Sequence, residues 1–296
     1  MTLETLDDTR CHLGEGPLWD IGQQALYWVD SLAPSLFRHD WATRTTQRWD
    51  LSGDSIGSLA VRRTGGLIMA MDTGFYFFNP RNGQSLQIAD PLADTPHSHF
   101  NDGKVDRAGR FVAGGVHGVA GTSRQPEPVC GMFCLDTDLS VRRVLDGFAC
   151  FNGPCFSPDG KRLYVTGRGD MKHIEAFDYD PDTGRVDPAS KGSRVLIDDI
   201  DPDGATVDAD GFIWSAQWGD GCVLRLSPEG VIDRRIEVPG QVVSSVMFGG
   251  PDLDILFVTT LGQPHWGTTP TADHAGAVFV FRHTGVKGLP EHRFEG

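Results

Sequence analysis

Apolar residues along this chain come in short runs, several of them alternating with polar residues, and helical periodicity is nearly absent. The runs recur in a fixed order. One position repeats six times as Glu15, Gly57, Asn101, Asn152, Asp203 and Ser244, at intervals of 42, 44, 51, 51 and 41 residues. Four residues later stands an apolar residue that opens a turn: Trp19, Val61, Val105, Phe156, Val207 and Phe248. The turns include DRAG (106–109), SPDG (157–160), DADG (208–211) and GGPD (249–252), the Asp, Pro and Gly chemistry of tight connections. After each turn comes a second strand: LYWVD (26–30), LIMAMD (67–72), RFVAGG (110–115), RLYVTG (162–167), FIWSAQ (212–217) and ILFVTT (255–260). Third strands follow, among them SLFRHD (35–40), GFYFFN (74–79), IEAFDYD (174–180) and AVFVFR (277–282). A more polar fourth strand closes the unit, as in TQRWDL (46–51) and VIDRRIEV (231–238).

A unit of about 40–50 residues with four strands is the signature of a β-propeller blade. Six such units fill residues 1–296 with no linker between them. The pattern therefore predicts an all-β chain, a single six-bladed β-propeller domain of four-stranded antiparallel blades. The strand before Cys11 is expected to pair with the last blade and close the ring, which removes free sheet edges. A β-sandwich would show similar turns but not this recurring unit.

Composition narrows the partners. The net charge of −14 argues against nucleic acid, whose phosphates need a basic face. No run approaches the roughly 20 apolar residues of a membrane helix, and MTLETLDDTR has neither the basic region nor the apolar core of a signal peptide. The six cysteines form no C-x-x-C pair, so buried reduced thiols and a cytoplasmic location are expected.

In a propeller the first strand of each blade lines the central channel, and equivalent positions lie at one height. Glu15, Asn101, Asn152 and Asp203 then form a ring segment of oxygen donors, with Gly57 and Ser244 leaving one side open to substrate and water. Two carboxylates and two amide carbonyls suit one hard divalent cation such as Ca²⁺, Mg²⁺ or Mn²⁺, and Zn²⁺ or Fe²⁺ is compatible. No G-x-S-x-G elbow occurs, so a serine-esterase route is disfavoured.

LGEGPLWD (13–20), FNDGKVDRAGR (100–110), NGPCFSPDGKRLYVT (152–166) and PDGATVDADGFIWSAQW (202–218) resemble the senescence-marker/gluconolactonase/luciferin-regenerating family, which includes regucalcin and bacterial aldonolactonases. FGGPDLDILFVTT (248–260) and GVKGL (285–289) fit as well, so the resemblance covers nearly the whole chain. It implies a six-bladed propeller with one divalent cation held by Glu15, Asn152 and Asp203. It also implies Asp203 as general base and Asn101 as a contact to substrate or metal-bound water. The implied reaction is metal-dependent hydrolysis of a sugar lactone to the open-chain aldonic acid, in carbohydrate catabolism.

Some positions depart from the family's pattern. His99 stands where regucalcin-like members carry a substrate-binding Arg. His117 and Arg124 lie where an acidic contact is usual, and Gly167 replaces an Asp just before Arg168, with Lys172 and His173 beyond. His97, His99, His117, Arg168 and His173 predict a cationic cavity rim suited to an anionic tail, as in 6-deoxy-6-sulfogluconolactone. The alternatives are a plain glucono- or pentonolactonase, another hydrolase on the same frame, or a calcium-binding propeller without turnover. Trp19, Trp28, Trp214 and Phe257 are expected in the core, whereas Trp218 and Trp266 fall on loops able to wall the cavity.

Overall fold

The computed structural model describes residues 2–118, 127–238 and 241–296. These form strands, turns and bends, with no helix among the described residues. The strands build four four-stranded antiparallel sheets and one eight-stranded sheet. All sheets but one take their strands in chain order, as in Gly14–Asp20, Ala25–Asp30, Ser35–Asp40 and Thr45–Asp50, and the exception adds Thr2–Thr5 to the last three strands of the chain. The eight-stranded sheet is continuous because one strand, Val141–Phe156, runs through the place where two units meet. Its polar first half pairs with Cys130–Leu135 and its apolar second half with Arg162–Arg168. One outer strand is split into Arg185–Asp187 and Arg194–Ile197, both pairing with Ile174–Asp180. Pro188, between the halves, has no N–H to continue the ladder.

Burial follows strand order. Ile56–Val61, Pro202–Val207 and Val243–Gly249 are buried along their whole length, whereas the fourth strands Thr45–Asp50 and Gln84–Ala89 are largely exposed. The inner strands therefore read as continuous runs, not as the alternation of a sheet with one wet face. The core consists of clusters sandwiched between successive sheets. Tyr27 and Val29 pack with Leu67 and Met69, Phe75 with Phe100 and Phe111, and Trp214 with Phe248 and Leu256. A further cluster joins the ends of the chain, where Trp19 stacks on Phe257 at 5.8 Å between ring centroids.

Backbone pairing seals the same seam. Thr2–Thr5 lies antiparallel to Phe279–Arg282, the pairing expected of the strand before Cys11, and Leu13 bridges Leu261. At the turn end of the inner strands the last residues run across the channel. Gly288 bridges Asp208, the Phe294 N–H donates to the Val61 carbonyl at 2.9 Å, and the Phe294 ring is fully buried. This segment closes one end and leaves the opposite end as the way in.

All six cysteines are free and buried, and burial pushes the thiols of Cys11, Cys134 and Cys155 up to about 12. They are inert packing groups.

The turn aspartates serve as internal caps. Asp106 Oδ1 accepts from the N–H groups of Ala108 and Arg110, and Asp208 Oδ1 from those of Asp210 and Phe212. The second oxygen of Asp208 accepts from Trp214 Nε1 and Arg225 Nε, each at 2.8 Å, and Arg225 reaches Asp210 and Asp233 as well. Asp208 is fully buried, so Asp208→Ala strands the Trp214 indole N–H and the Arg225 Nε–H. Urea unfolding is expected to show a loss of about 3–5 kcal/mol, and a loss under 1 kcal/mol would contradict this reading of the network.

Candidate active site

The six recurring positions share a backbone device. Each lies at or within a register shift of its innermost strand: Glu15/Leu18, Ile56/Ser58, Phe100/Gly103, Asn152/Cys155, Pro202/Ala205 and Val243/Ser245. A bulge releases a residue from the alternation of the strand and re-aims its side chain. Glycine follows where the bulge needs left-handed backbone, as at Gly16 and Gly153 with φ of +54° and +56°.

Glu15, Asn101, Asn152 and Asp203 are thereby brought to one cavity of about 380 Å³. That volume lies in the range of small-molecule sites. Both carboxylates are buried. Desolvation pushes Glu15 well above the usual carboxylate range, with the charges of Asp203 and Asp102 adding to it. Asp203 is raised by burial and by the carboxylates of Asp102 and Asp201. Asn101 Nδ2 donates to the Phe151 carbonyl at 2.8 Å and to Asn152 Oδ1 at 3.0 Å, tying the two amides together.

Gly57 and Ser244 do not open the ring as the sequence suggests. Ser244 is fully buried, and its hydroxyl donates to the Gly14 carbonyl and meets Thr259 Oγ1 at 3.0 Å. Gly57 lines the cavity, but a Cβ there would collide with the Asn101 backbone. Glycine at this position lets a neighbouring strand approach.

The structure disperses the predicted cationic rim. His99 lines the cavity, where burial lowers its pKa to about 4 and leaves a neutral imidazole at pH 7. Arg168 lies outside it. Its Nη1 pairs with Glu175 Oε1 at 2.8 Å, its Nε donates to the Asp146 carbonyl, and its guanidinium sits over Phe148 and Phe177. His173 lies outside too, with Nδ1 at 3.1 Å from Asp170 and Nε2 at 3.8 Å from Glu175. His117 does not line the cavity although its neighbours Val116 and Gly118 do, and its Nδ1 accepts from the Glu127 N–H at 3.4 Å. His97 is exposed, and Arg124 falls outside the described residues. Among the described lining residues the one ammonium or guanidinium is Lys172, and its Nζ is 2.6 Å from Asp201.

Three contributors were not chosen from the sequence. Asp102, the middle of N-D-G, reads there as a turn residue. In the fold it is a buried carboxylate that accepts from the Gly103 and Gly153 N–H groups at 2.7 and 3.1 Å, and burial raises it to about 6. It fixes the backbone beside Asn152. Asp102 itself does not line the cavity, whereas Lys172 and His265 do; Lys172 stands beyond Arg168 in the sequence without being read as a contact, and for His265 only its place next to Trp266 pointed there. Trp218 and Trp266 do wall the cavity.

No three His, Cys, Asp or Glu side chains among the described residues group closely enough to hold a metal. The donor set is of another kind, two carboxylates and an amide oxygen. Asp203 Oδ1 is buried without a hydrogen-bond partner, and Glu15 receives only the Gly16 N–H at 3.3 Å. Buried carboxylates so poorly satisfied call for a counter-charge, and an oxygen set with a carboxylate pair fits a hard divalent cation.

Comparisons with known proteins converge. The model of the SMP-30/Gluconolactonase/LRE-like region matches residues 13–262. The pentonolactonase XacC of Haloferax volcanii is 35% identical over 99% of this chain and 98% of its own. The 6-deoxy-6-sulfogluconolactonase of Pseudomonas putida is 34% identical over 96% and 95%. The crystal structure of a calcium-binding protein, regucalcin, from Agrobacterium tumefaciens superposes with a TM-score of 0.84 at 26% identity, covering 98% of this chain and 96% of that one.

A cation that binds only the folded chain stabilises it by mass action, about 2.7 kcal/mol at a hundredfold excess over its dissociation constant. Thermal melts of EDTA-treated protein are expected to shift upward with Ca²⁺, Mn²⁺ or Zn²⁺, and Glu15→Gln to lose most of the shift. No shift with any divalent ion would contradict the fit.

Proposed function

We propose, from the premise that the chain belongs to the SMP-30/gluconolactonase/LRE-like family, that it is a lactonase that hydrolyses a sugar lactone to its aldonic acid with the help of one divalent cation. The observation that carries this reading is the meeting of Glu15, Asn101, Asn152 and Asp203 at one cavity with Asp203 Oδ1 left unpartnered. The lactonase activities of the two relatives above support it. We read the eight-stranded sheet as two blades sharing Val141–Phe156, so the whole chain is one six-bladed propeller domain.

Glu15, Asn152 and Asp203 are the residues that would hold the cation. When bound, it supplies Lewis-acid polarisation of the lactone carbonyl and acidification of a water. The protein does the rest. Asp203 takes a proton from the water whose oxygen attacks the carbonyl carbon. As the ring C–O bond breaks, Asp203 returns that proton to the leaving alkoxide, giving a hydroxyl. Glu15 would give its negative charge to the cation and takes no part in proton transfer. Asn101 holds Asn152 in place through its amide hydrogen bond and contributes no charge.

The substrate we favour is an uncharged aldonolactone. A sulfonate or phosphate tail needs a cation, and the described lining offers only Lys172, already paired with Asp201. His99 is present but neutral, and Arg168 and His173 are committed to Glu175.

Asp203→Asn removes both the base and a ligand charge while preserving size. Acid release from gluconolactone and pentonolactones near pH 7 is expected to fall by a factor of about 100 or more with the circular dichroism unchanged. Near-full activity in that variant would remove Asp203 from its role. A wild-type protein that binds cation but opens no lactone would instead favour a calcium holder.

A further inference from the structure

Part of the cavity wall is aromatic, and it rests on strained backbone. His265 and Thr268 bridge each other through paired backbone hydrogen bonds of 2.9 and 2.8 Å. Between them Trp266 has φ of +44° and Gly267 φ of +79°, the pattern of a type I′ turn. That turn wants Asn, Asp or Gly at its first central position, because only short or absent side chains tolerate left-handed backbone. A tryptophan there is a local conflict. Such conflicts collect where a site needs a side chain that the turn would not choose.

The strain places an indole where it lines the cavity. Trp266 stacks on His265 with centroids 4.9 Å apart and planes at 19°, and Trp218 meets His265 edge-on at 6.3 Å. Trp218 is held from both sides, by its Nε1 on Thr268 Oγ1 at 3.2 Å and by its N–H on the Asp201 carbonyl at 2.8 Å. His265 Nδ1 is buried with no hydrogen-bond partner. A core aromatic would not need an exposed, strained turn to reach its place. His265 is the layer on which the Trp266 ring is stacked, with Trp218 against its edge.

We propose that Trp266, stacked on His265, is the sugar-facing platform of the cavity, so that this turn determines which lactone is bound. Its ligand class is an uncharged cyclic sugar lactone. The C–H bonds on one ring face carry slight positive charge and rest on the electron-rich indole face. An anionic tail over the same face would be repelled. The carbonyl is left to point toward Glu15 and Asp203. This assignment rests on the lactonase reading above.

The test separates strain from function. Trp266→Gly and Trp266→Asn give the turn the residues it prefers, so melting temperatures are expected to stay level or rise. If the indole is the platform, KM for uncharged pentono- and gluconolactones rises about tenfold while kcat changes less than about twofold. Trp266→Phe recovers part of the affinity. His265→Phe keeps the stack under the indole and is expected to leave KM within about twofold of the wild type, whereas His265→Ala removes that support and raises it. Unchanged KM in the Gly and Asn variants of an active enzyme, or a lower melting temperature with normal KM, would overturn the assignment and leave the lactonase reading standing. A wild type inactive on every lactone would overturn both.

Discussion

Two buried carboxylates at the hub of a ring of sheets are the constraint on which this molecule depends. Glu15 and Asp203 lie 188 residues apart in sequence, and the protein satisfies them poorly: Glu15 receives one backbone N–H at 3.3 Å and Asp203 Oδ1 has no partner. Removing ionised carboxylates from water costs several kcal/mol each unless a counter-charge or hydrogen bonds compensate. The fold supplies few of either, so the polar hub is built for something that arrives. The bulges aim these side chains at the cavity, while the Asn101–Asn152 tie and the Asp102 bond to the Gly153 N–H hold the amides beside them.

Holding them requires a closed ring. Each inner strand is buried because a neighbouring sheet covers each of its faces, and the last pair of faces meets only where the two ends of the chain come together. The amino-terminal strand on Phe279–Arg282, the Trp19–Phe257 stack and the Ser244 hydroxyl on Gly14 lie on that seam. The seam adjoins Glu15, so its integrity and that of the site are coupled. With the carboxyl-terminal segment across the far end, water and substrate reach the hub from one side.

Much of this was legible in the sequence. The four-strand unit and its Asp-bearing turns appear because turn chemistry and strand length are local properties, and the ring donors stand out because a repeat places them at one height. What was not legible depends on direction. Arg168 follows the inner-facing Gly167 in sequence, yet its side chain leaves the cavity for Glu175, because adjacent strand residues point to opposite faces. His99 does reach the cavity but loses its charge to burial, which a sequence does not display. Ser244 looked like a gap because its hydrogen-bond partner is 230 residues away. Trp266 was visible as a candidate wall, whereas its left-handed backbone required coordinates. The continuous strand Val141–Phe156 merged two units that the pattern kept apart.

The most direct measurement is anomalous diffraction from crystals equilibrated with Mn²⁺ after EDTA treatment. The account predicts one dominant anomalous peak in the hub, within bonding distance of oxygens from Glu15, Asn152 and Asp203. Peaks confined to surface carboxylates, with the hub empty, would contradict it.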